Sequence, residues 1–376
     1  MSHRPSPPTP LPCAGEGSQR PSPPTPLPCA GEGSRPAYDA GEGSHPAHRD
    51  KGGEASLSTD ISPSPAHGRG ALDRRPQPGG QLATGRGVRA ARVAVVCEST
   101  ACLPPNLIAR YGIGVIPIPF VFGTDTFLDG VDITPAEFYT RLASSQVPPK
   151  TSPPSPGEYL QAWRATQAEG VVLVTVDGSV STLQRSAYMA RDLATESLPG
   201  VTVAVVDSRS AGMGQGFVAL AAARAAADGR SMEEVVHVAE DVSQRVRMIV
   251  TLDTLEYLAR ASRIPQVAAF VGALLSIKPI VQLSGGDIRM LARVRTRRRS
   301  IEALFEQVRQ GVPAGARVHA AVQHARADEE AARLADRLRD EFAPVELYTT
   351  EFTPVMGGYC GPGLLGVAFY TEEESM

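Results

Sequence analysis

From residue 93 onward, short uninterrupted apolar runs alternate with longer stretches whose apolar positions recur at helical spacing. Val93–Cys97, Ile113–Pro119, Val171–Val176 and Val201–Val206 read as strands. Continuous rather than alternating apolarity is the pattern of strands covered on both faces. Between them, Ser/Thr-x-x-Glu spacings mark helix starts, because the hydroxyl and the carboxylate each satisfy a free backbone N–H of the first turn. Thr134-Pro135-Ala136-Glu137 opens a helix to about Ala143, Ser155–Glu158 one to about Ala168, and Ser231–Glu234 one ending near Arg247. Further helices are predicted from Pro104-Pro105, from Leu183 to about Glu196, and over Phe217–Ala227 after a glycine-rich turn, Ser210–Gly216. Phe120–Asp129 reads as a strand-rich excursion and Val147–Ser155 as rigid loop. Strand and helix in alternation predict a parallel sheet with helices on both faces, and ligands of such sheets sit at the carboxyl ends of the strands.

After Arg247 the pattern changes. Met248–Leu252 reads as a strand, and Leu255–Arg260 and Gln266–Leu275 as short helices. Ile277–Leu283 and Ile288–Val294 flank Ser284-Gly285-Gly286-Asp287, a hairpin signal. Ser300–Arg309 and the charged Asp328–Phe342 are helical, Val318–Gln323, Val345–Thr349 and Leu365–Tyr370 are strands, and Gly357–Gly363 is a glycine-rich turn. The expected fold is therefore two α/β domains: residues 93–247 with a mainly parallel sheet covered by helices, and residues 248–376 with a mixed sheet and helices.

Composition adds a third segment. Residues 1–92 hold 16 of the 33 prolines and 14 of the 36 glycines, too little apolar surface to offset ordering entropy, so a disordered N-terminal tail is expected. Within it RPSPPTPLPCAGEGS repeats at Arg4–Ser18 and Arg20–Ser34. A dispensable tail, translated repeat DNA ahead of the true start, and a Pro-rich docking peptide all fit. The tail carries 11 Lys and Arg against 8 Asp and Glu, so the chain's net −3 leaves −6 for the rest. That acidic body argues against a nucleic-acid partner. Cys97, Cys102 and Cys360 fit no metal-ligand spacing. With no apolar stretch of spanning length and no leader pattern, a cytoplasmic protein with at most transient membrane contact is expected.

The chemistry-bearing stretch is Val171–Ala187, where a buried strand breaks at Asp177-Gly178, passes Ser179–Thr182, and enters a helix. Backbone N–H groups and the helix dipole favour an anion there. Glu98-Ser99-Thr100 and Asp207-Ser208 end two other strands the same way, and Thr151 and Ser152 add hydroxyls. For any one of these residues, ordinary helix capping or a ligand cradle is an adequate account. No phosphate-loop, zinc-protease or nucleophile-elbow motif is present, and no histidine stands beside the hydroxyl cluster to act as a base for Ser181. No catalytic residue, metal ligand or cofactor site is therefore nominated. The apolar segments Phe217–Ala227 and Val267–Ile277 are either core helices or walls of a long apolar pocket. The Arg295–Arg299 run is either a solvated loop or a docking face.

In order along the chain, these residues match a known pattern. Val93 to Phe369 resembles the DegV family, bacterial fatty-acid-binding proteins that include the carrier subunit of fatty acid kinase. The family's Asp-Ser-Thr corresponds to Glu98-Ser99-Thr100, its Thr-Ser-x-Pro-Ser to Thr151–Ser155, and its Leu-Ser-Gly-Thr to Val180–Leu183. Its Asp-Ser is Asp207-Ser208, its Gly-Gly-Arg-Ile is Ala261–Ile264, its Lys-Pro-Ile is Lys278–Ile280, and its His-x-Gly-Pro-Gly is Tyr359–Gly363. The resemblance implies a long-chain fatty acid in an apolar tunnel. It places the carboxylate on Thr151, Ser181 and Tyr359, with Ser152 and Thr182 beside them and Arg263 at the mouth. It also implies a separate dihydroxyacetone-kinase-like subunit that phosphorylates the presented acid, so that the carrier is not itself the enzyme. A stand-alone small-molecule kinase or transferase of related fold is the alternative. Tyr359 replaces the family histidine; a tyrosine donates a hydrogen bond but does not become a cation, which predicts weaker or differently tuned carboxylate binding.

Overall fold

A computed structural model describes residues 93–145, 147–260 and 277–372. The tail expected over residues 1–92, the helix expected over Gln266–Leu275, most of the Val267–Ile277 segment, and the nominated Arg263 lie outside the described residues.

The first part of the chain runs β1 (Val93–Glu98), a single 3-10 turn (Ser99–Ala101), α1 (Pro105–Tyr111), β2 (Gly114–Ile116), β3 (Pro119–Phe122), β4 (Asp125–Leu128), α2 (Pro135–Ser144) and β5 (Lys150–Thr151). It continues through α3 (Pro156–Ala165), β6 (Gly170–Thr175), α4 (Leu183–Ser197), β7 (Thr202–Asp207), α5 (Met213–Ala227) and α6 (Met232–Arg245). Strands β2-β1-β6-β7 form a wholly parallel sheet. Val171 to Val174 are fully buried, as continuous apolarity requires. All three capping boxes form, at Thr134/Glu137, Ser155/Glu158 and Ser231/Glu234.

The second part comprises β8 (Arg247–Thr251), α7 (Glu256–Arg260), β9 (Lys278–Ser284), β10 (Asp287–Val294), α8 (Arg297–Gly311), β11 (Val318–His324), α9 (Asp328–Phe342), β12 (Glu346–Glu351), α10 (Pro354–Cys360) and β13 (Leu365–Thr371). Its sheet has the order β10-β9-β8-β13-β11-β12. Only β11 and β12 run parallel; the other neighbours are antiparallel. The β9–β10 turn places Gly285 and Gly286 at φ 60° and 80°, a backbone that side-chain-bearing residues resist. Helix α5 packs in one core with α6, with Val95 and Val172 of the parallel sheet, and with Ala321 and Ala368 of the mixed one. Small alanines allow that approach from two sides. Most of Phe217–Ala227 is thus core, and none of it lines the apolar cavity described below, although Ala221 and Ala225 border a second, more polar cavity.

Four expectations need correction. β5 falls inside the expected rigid loop and, with β3 and β4, makes a small antiparallel sheet. The expected second strand, Ile113–Pro119, divides between two sheets. Helix α5 begins at Met213, inside the expected turn. The first part of the expected Gly357–Gly363 turn, up to Cys360, is instead the second half of α10, and the chain turns only after it. Pro354 starts that helix with its φ preset. Its two glycines remain because Tyr139 and Pro149 occupy the space a Cβ would need.

Candidate functional site

The β6–α4 loop is built on two aspartates. Asp177 accepts from Ser179 N at 2.7 Å, and Asp207 accepts from Gly178 N at 3.3 Å. This brings Ser179–Thr182 round to the start of α4. Ser181 Oγ accepts from Leu183 N at 3.3 Å, so the capping account applies to its lone pair while its proton is left to donate. Thr182 occupies the N-cap position and makes no side-chain cap. The Thr151–Ser155 segment lies alongside: Ser186 Oγ of α4 donates to Pro154 O at 2.5 Å. Thr151 is held in β5 opposite Phe120, and its hydroxyl is hydrogen-bonded to that of Tyr359 on α10.

These groups line one cavity. Thr151, Ser152, Ser181, Thr182 and Tyr359 supply hydroxyls. Met248 and Val250 of β8, Val281 and Leu283 of β9, and Ile288 of β10 form an apolar wall. Phe352, Val355, Met356 and Leu364, in and around α10, continue it. The volume is about 170 Å³, on a scale where one water takes about 10–15 Å³, so it holds on the order of a dozen methylene-sized groups. No described lining residue is Asp, Glu, Lys, Arg or His. Five of the six nominated residues thus share one cavity; Arg263 lies outside the described residues.

Buried carboxyls hold several of the lining residues in place. Glu98 is fully buried and accepts from Tyr159 OH at 3.2 Å, Val176 N at 3.2 Å and Gln215 Nε2 at 2.7 Å. Burial pushes its carboxyl up to about 7, against the pull of those donors. Gln215 Oε1 in turn accepts from Thr100 Oγ1 at 2.8 Å, and Thr100 lines the cavity. Asp129, also buried, accepts from Ser99 Oγ at 2.6 Å and from Val355 N at 3.0 Å. It thereby anchors the first turn of α10, the helix that carries Tyr359. Burial raises the pKa of Asp129 and of Asp177. Cys360 lines the cavity too, with burial pushing its thiol up to about 12, which keeps it a neutral thiol.

Of the nominated hydroxyl cluster, Ser99 is spent on Asp129. Gln215 and Asp129 were missed from sequence. Gln215 left a trace, the single polar side chain in the apolar start of α5; Asp129 sits in an ordinary-looking turn and left none. The Arg295–Arg299 run is not uniformly solvated. Arg297 is half-buried, pairs with Glu330 and with Asp253 at 3.2 Å, and donates to Gly363 O at 2.6 Å. Among the described residues no group of three or more His, Cys, Asp or Glu is placed to hold a metal ion, and no helix is long and apolar enough to cross a membrane.

A family model described as "Uncharacterised protein, DegV family" matches residues 92–372. A DegV domain-containing protein of Streptomyces coelicolor is 36% identical over 279 residues, covering 73% of this chain and 97% of the relative. A solved DegV family protein from Thermus thermophilus, described by its fatty acid binding, is 28% identical with a TM-score of 0.69 over 75% of this chain and 100% of that one. DegV from Bacillus subtilis, described as a fatty acid binding protein, is 29% identical with a TM-score of 0.68 over 75% and 100%.

Proposed function

The chain belongs to the DegV family, and from that premise we propose that it binds a long-chain fatty acid, with the acyl tail along the apolar wall and the head group among Thr151, Ser152, Ser181, Thr182 and Tyr359. The observation that carries this reading is the cavity itself. Hydroxyls, those of Thr151 and Tyr359 bonded to each other, share one otherwise apolar space large enough for an acyl chain. Burial of methylenes supplies affinity at about 0.8 kcal/mol each, and the hydroxyls orient the head. The two solved relatives described as binding fatty acids share the fold over their full length.

The finer reading is a carrier. The protein holds the acid, a separate kinase subunit of the dihydroxyacetone-kinase type phosphorylates it, and no residue of this chain performs the chemistry. We assign residues 93–247 and 248–376 to two domains that both contribute to the cavity. No observation favours a stand-alone kinase over this reading.

Native mass spectrometry of the full chain purified from a bacterial host tests it. A bound mass equal to a fatty acid, released on denaturation, is the expected result. Repeated preparations with no acyl mass, and no uptake of added acid after delipidation, refute it.

A further inference from the structure

Two edges of the cavity come near solvent. On the β6–α4 loop, Val180 and Ser181 line the cavity and are half-buried, and Thr182 beside them is exposed. On the β9–β10 hairpin, Leu283 and Ile288 line it and are half-buried. Leu283 is paired with Met248 of β8 on one side and with Ile288 of β10 on the other. Met248 is buried, so the row Met248, Leu283, Ile288 runs from the interior of the apolar wall out to the edge strand of the sheet.

One residue ties these edges together. Arg209, between β7 and α5, donates from Nη2 to Gly285 O at 2.5 Å, and its carbonyl accepts from Gly286 N at 3.3 Å. On its other side its N–H donates to Asp207 Oδ1 at 2.8 Å, while Asp207 Oδ2 accepts from Gly178 N at 3.3 Å. Asp177 N donates to Ser210 O at 2.9 Å. Hydrogen bonds therefore run without a break from the hairpin turn to the loop that presents Ser181. A Cβ on Gly286 would lie 3.9 Å from both Arg209 Nε and Asp177 Oδ1, so the turn sits over the clasp. Arg209 holds φ 50°, a left-handed backbone that is unfavourable for a residue with a long side chain. Glycine or asparagine would take that backbone at lower cost, so what arginine adds is the reach of its guanidinium. The hairpin it holds can bend. As the edge strand, β10 pairs on one side only, and its register against β9 shifts between Met290 and Ala292, a bulge that interrupts the ladder.

Resting on the acyl-binding reading, we propose that Arg209 is a latch across a mouth of the cavity, holding the tip of the β9–β10 hairpin to the Ser181 loop and setting the rate at which an acyl ligand enters and leaves. Released from Gly285, the tip lifts, Leu283 and Ile288 move away from the loop, and the ligand passes between them. Arg209 does not line the cavity; it is a positioning residue that acts through the two edges it joins. Entry and exit use the same opening. Weakening the latch therefore raises the open fraction and speeds both directions by the same factor, while the affinity, which compares free protein with the closed complex, changes little.

Stopped-flow fluorescence of the delipidated full chain tests this, with cis-parinaric acid as the probe and excess dodecanoic acid as the chase. Arg209→Asn suits the left-handed backbone and keeps the main-chain bonds to Asp207 and Gly286, so it removes the guanidinium alone. Association and dissociation should both accelerate about 10-fold or more, the size of one charge-assisted hydrogen bond. The dissociation constant should stay within about 3-fold, because both rates scale together. Arg209→Lys keeps the charge without the fork; it should speed both rates by a smaller factor, and it carries the test alone where the asparagine variant does not fold. Gln244→Ala removes the partner of Arg209 Nη1 at 3.0 Å but not the bond to Gly285, and should leave both rates unchanged. Unchanged exchange in both Arg209 variants, or faster dissociation with unchanged association, overturns the latch and leaves the acyl-binding reading standing. Failure of the natural chain to bind either acid overturns both.

Discussion

Glu98 makes a stability prediction that needs no ligand. A carboxyl raised from 4.5 to about 7 by burial is one the folded state prefers neutral. The unfolded chain ionises it first, so the favourable contribution is fully present below pH 4.5 and is lost as pH rises from there through about 7. At about 1.4 kcal/mol per pKa unit, the loss is about 3 kcal/mol. That is a sizeable share of a typical stability of about 5–15 kcal/mol. Glu98→Gln has nearly the shape of protonated Glu and does not titrate. The stability difference between the variant and the natural protein should therefore shift by about 3 kcal/mol in favour of the variant between pH 4.5 and 8. Urea denaturation of delipidated protein, followed by circular dichroism across that range, measures it. Delipidation matters because bound ligand adds a stabilisation of its own. Other carboxyls, Asp129 and Asp177 included, tilt both curves alike and cancel in the difference. Two curves that run parallel across the range would refute the assignment of a burial-raised carboxyl to Glu98.

Three further predictions address the site and its supports. Ser181→Ala should weaken dodecanoic acid binding by about 0.5–1.5 kcal/mol, the range for a neutral hydrogen bond; a calorimetric loss of about 3 kcal/mol would instead indicate a bound carboxylate. Gly357→Ala sets a methyl against the Tyr139 hydroxyl and should cost about 1–3 kcal/mol in urea denaturation, with acid binding lost as Tyr359 shifts two residues along the helix. Burial works against the Glu346 anion, but hydrogen bonds from His319, Arg224 and Tyr348 hold it down to about 2. Its contribution is therefore present above pH 4.5 and lost as pH falls toward 2, so Glu346→Gln should cost at most about 3 kcal/mol at pH 7 and progressively less below pH 4.

What the sequence carried was local. Capping boxes at Thr134, Ser155 and Ser231, apolar runs and the Gly285-Gly286 turn depend on a few neighbouring residues, and they place nearly every main strand and helix. What it did not carry was long-range. β5 is two residues that become a strand only because Phe120 and Val121 offer an edge. Helix α10 exists in a glycine-rich stretch only because Tyr139 and Pro149 fill the space beside it. The hydroxyls of the site were legible as types, while their gathering depends on elements up to 208 positions apart, as with Thr151 and Tyr359.

The role of Asp129 shows why such a group escapes a sequence reading and why it bears on ligand chemistry. The first turn of α10 has free N–H groups that, in a buried setting, need an acceptor. Thr353 makes no side-chain cap, so the acceptor comes from Asp129, 226 positions away. An anion suits that helix end, and it fixes the helix from which Tyr359 reaches Thr151. The same choice buries a carboxyl at the start of the helix that carries Tyr359. A histidine in place of Tyr359 could compensate by becoming a cation; a tyrosine cannot.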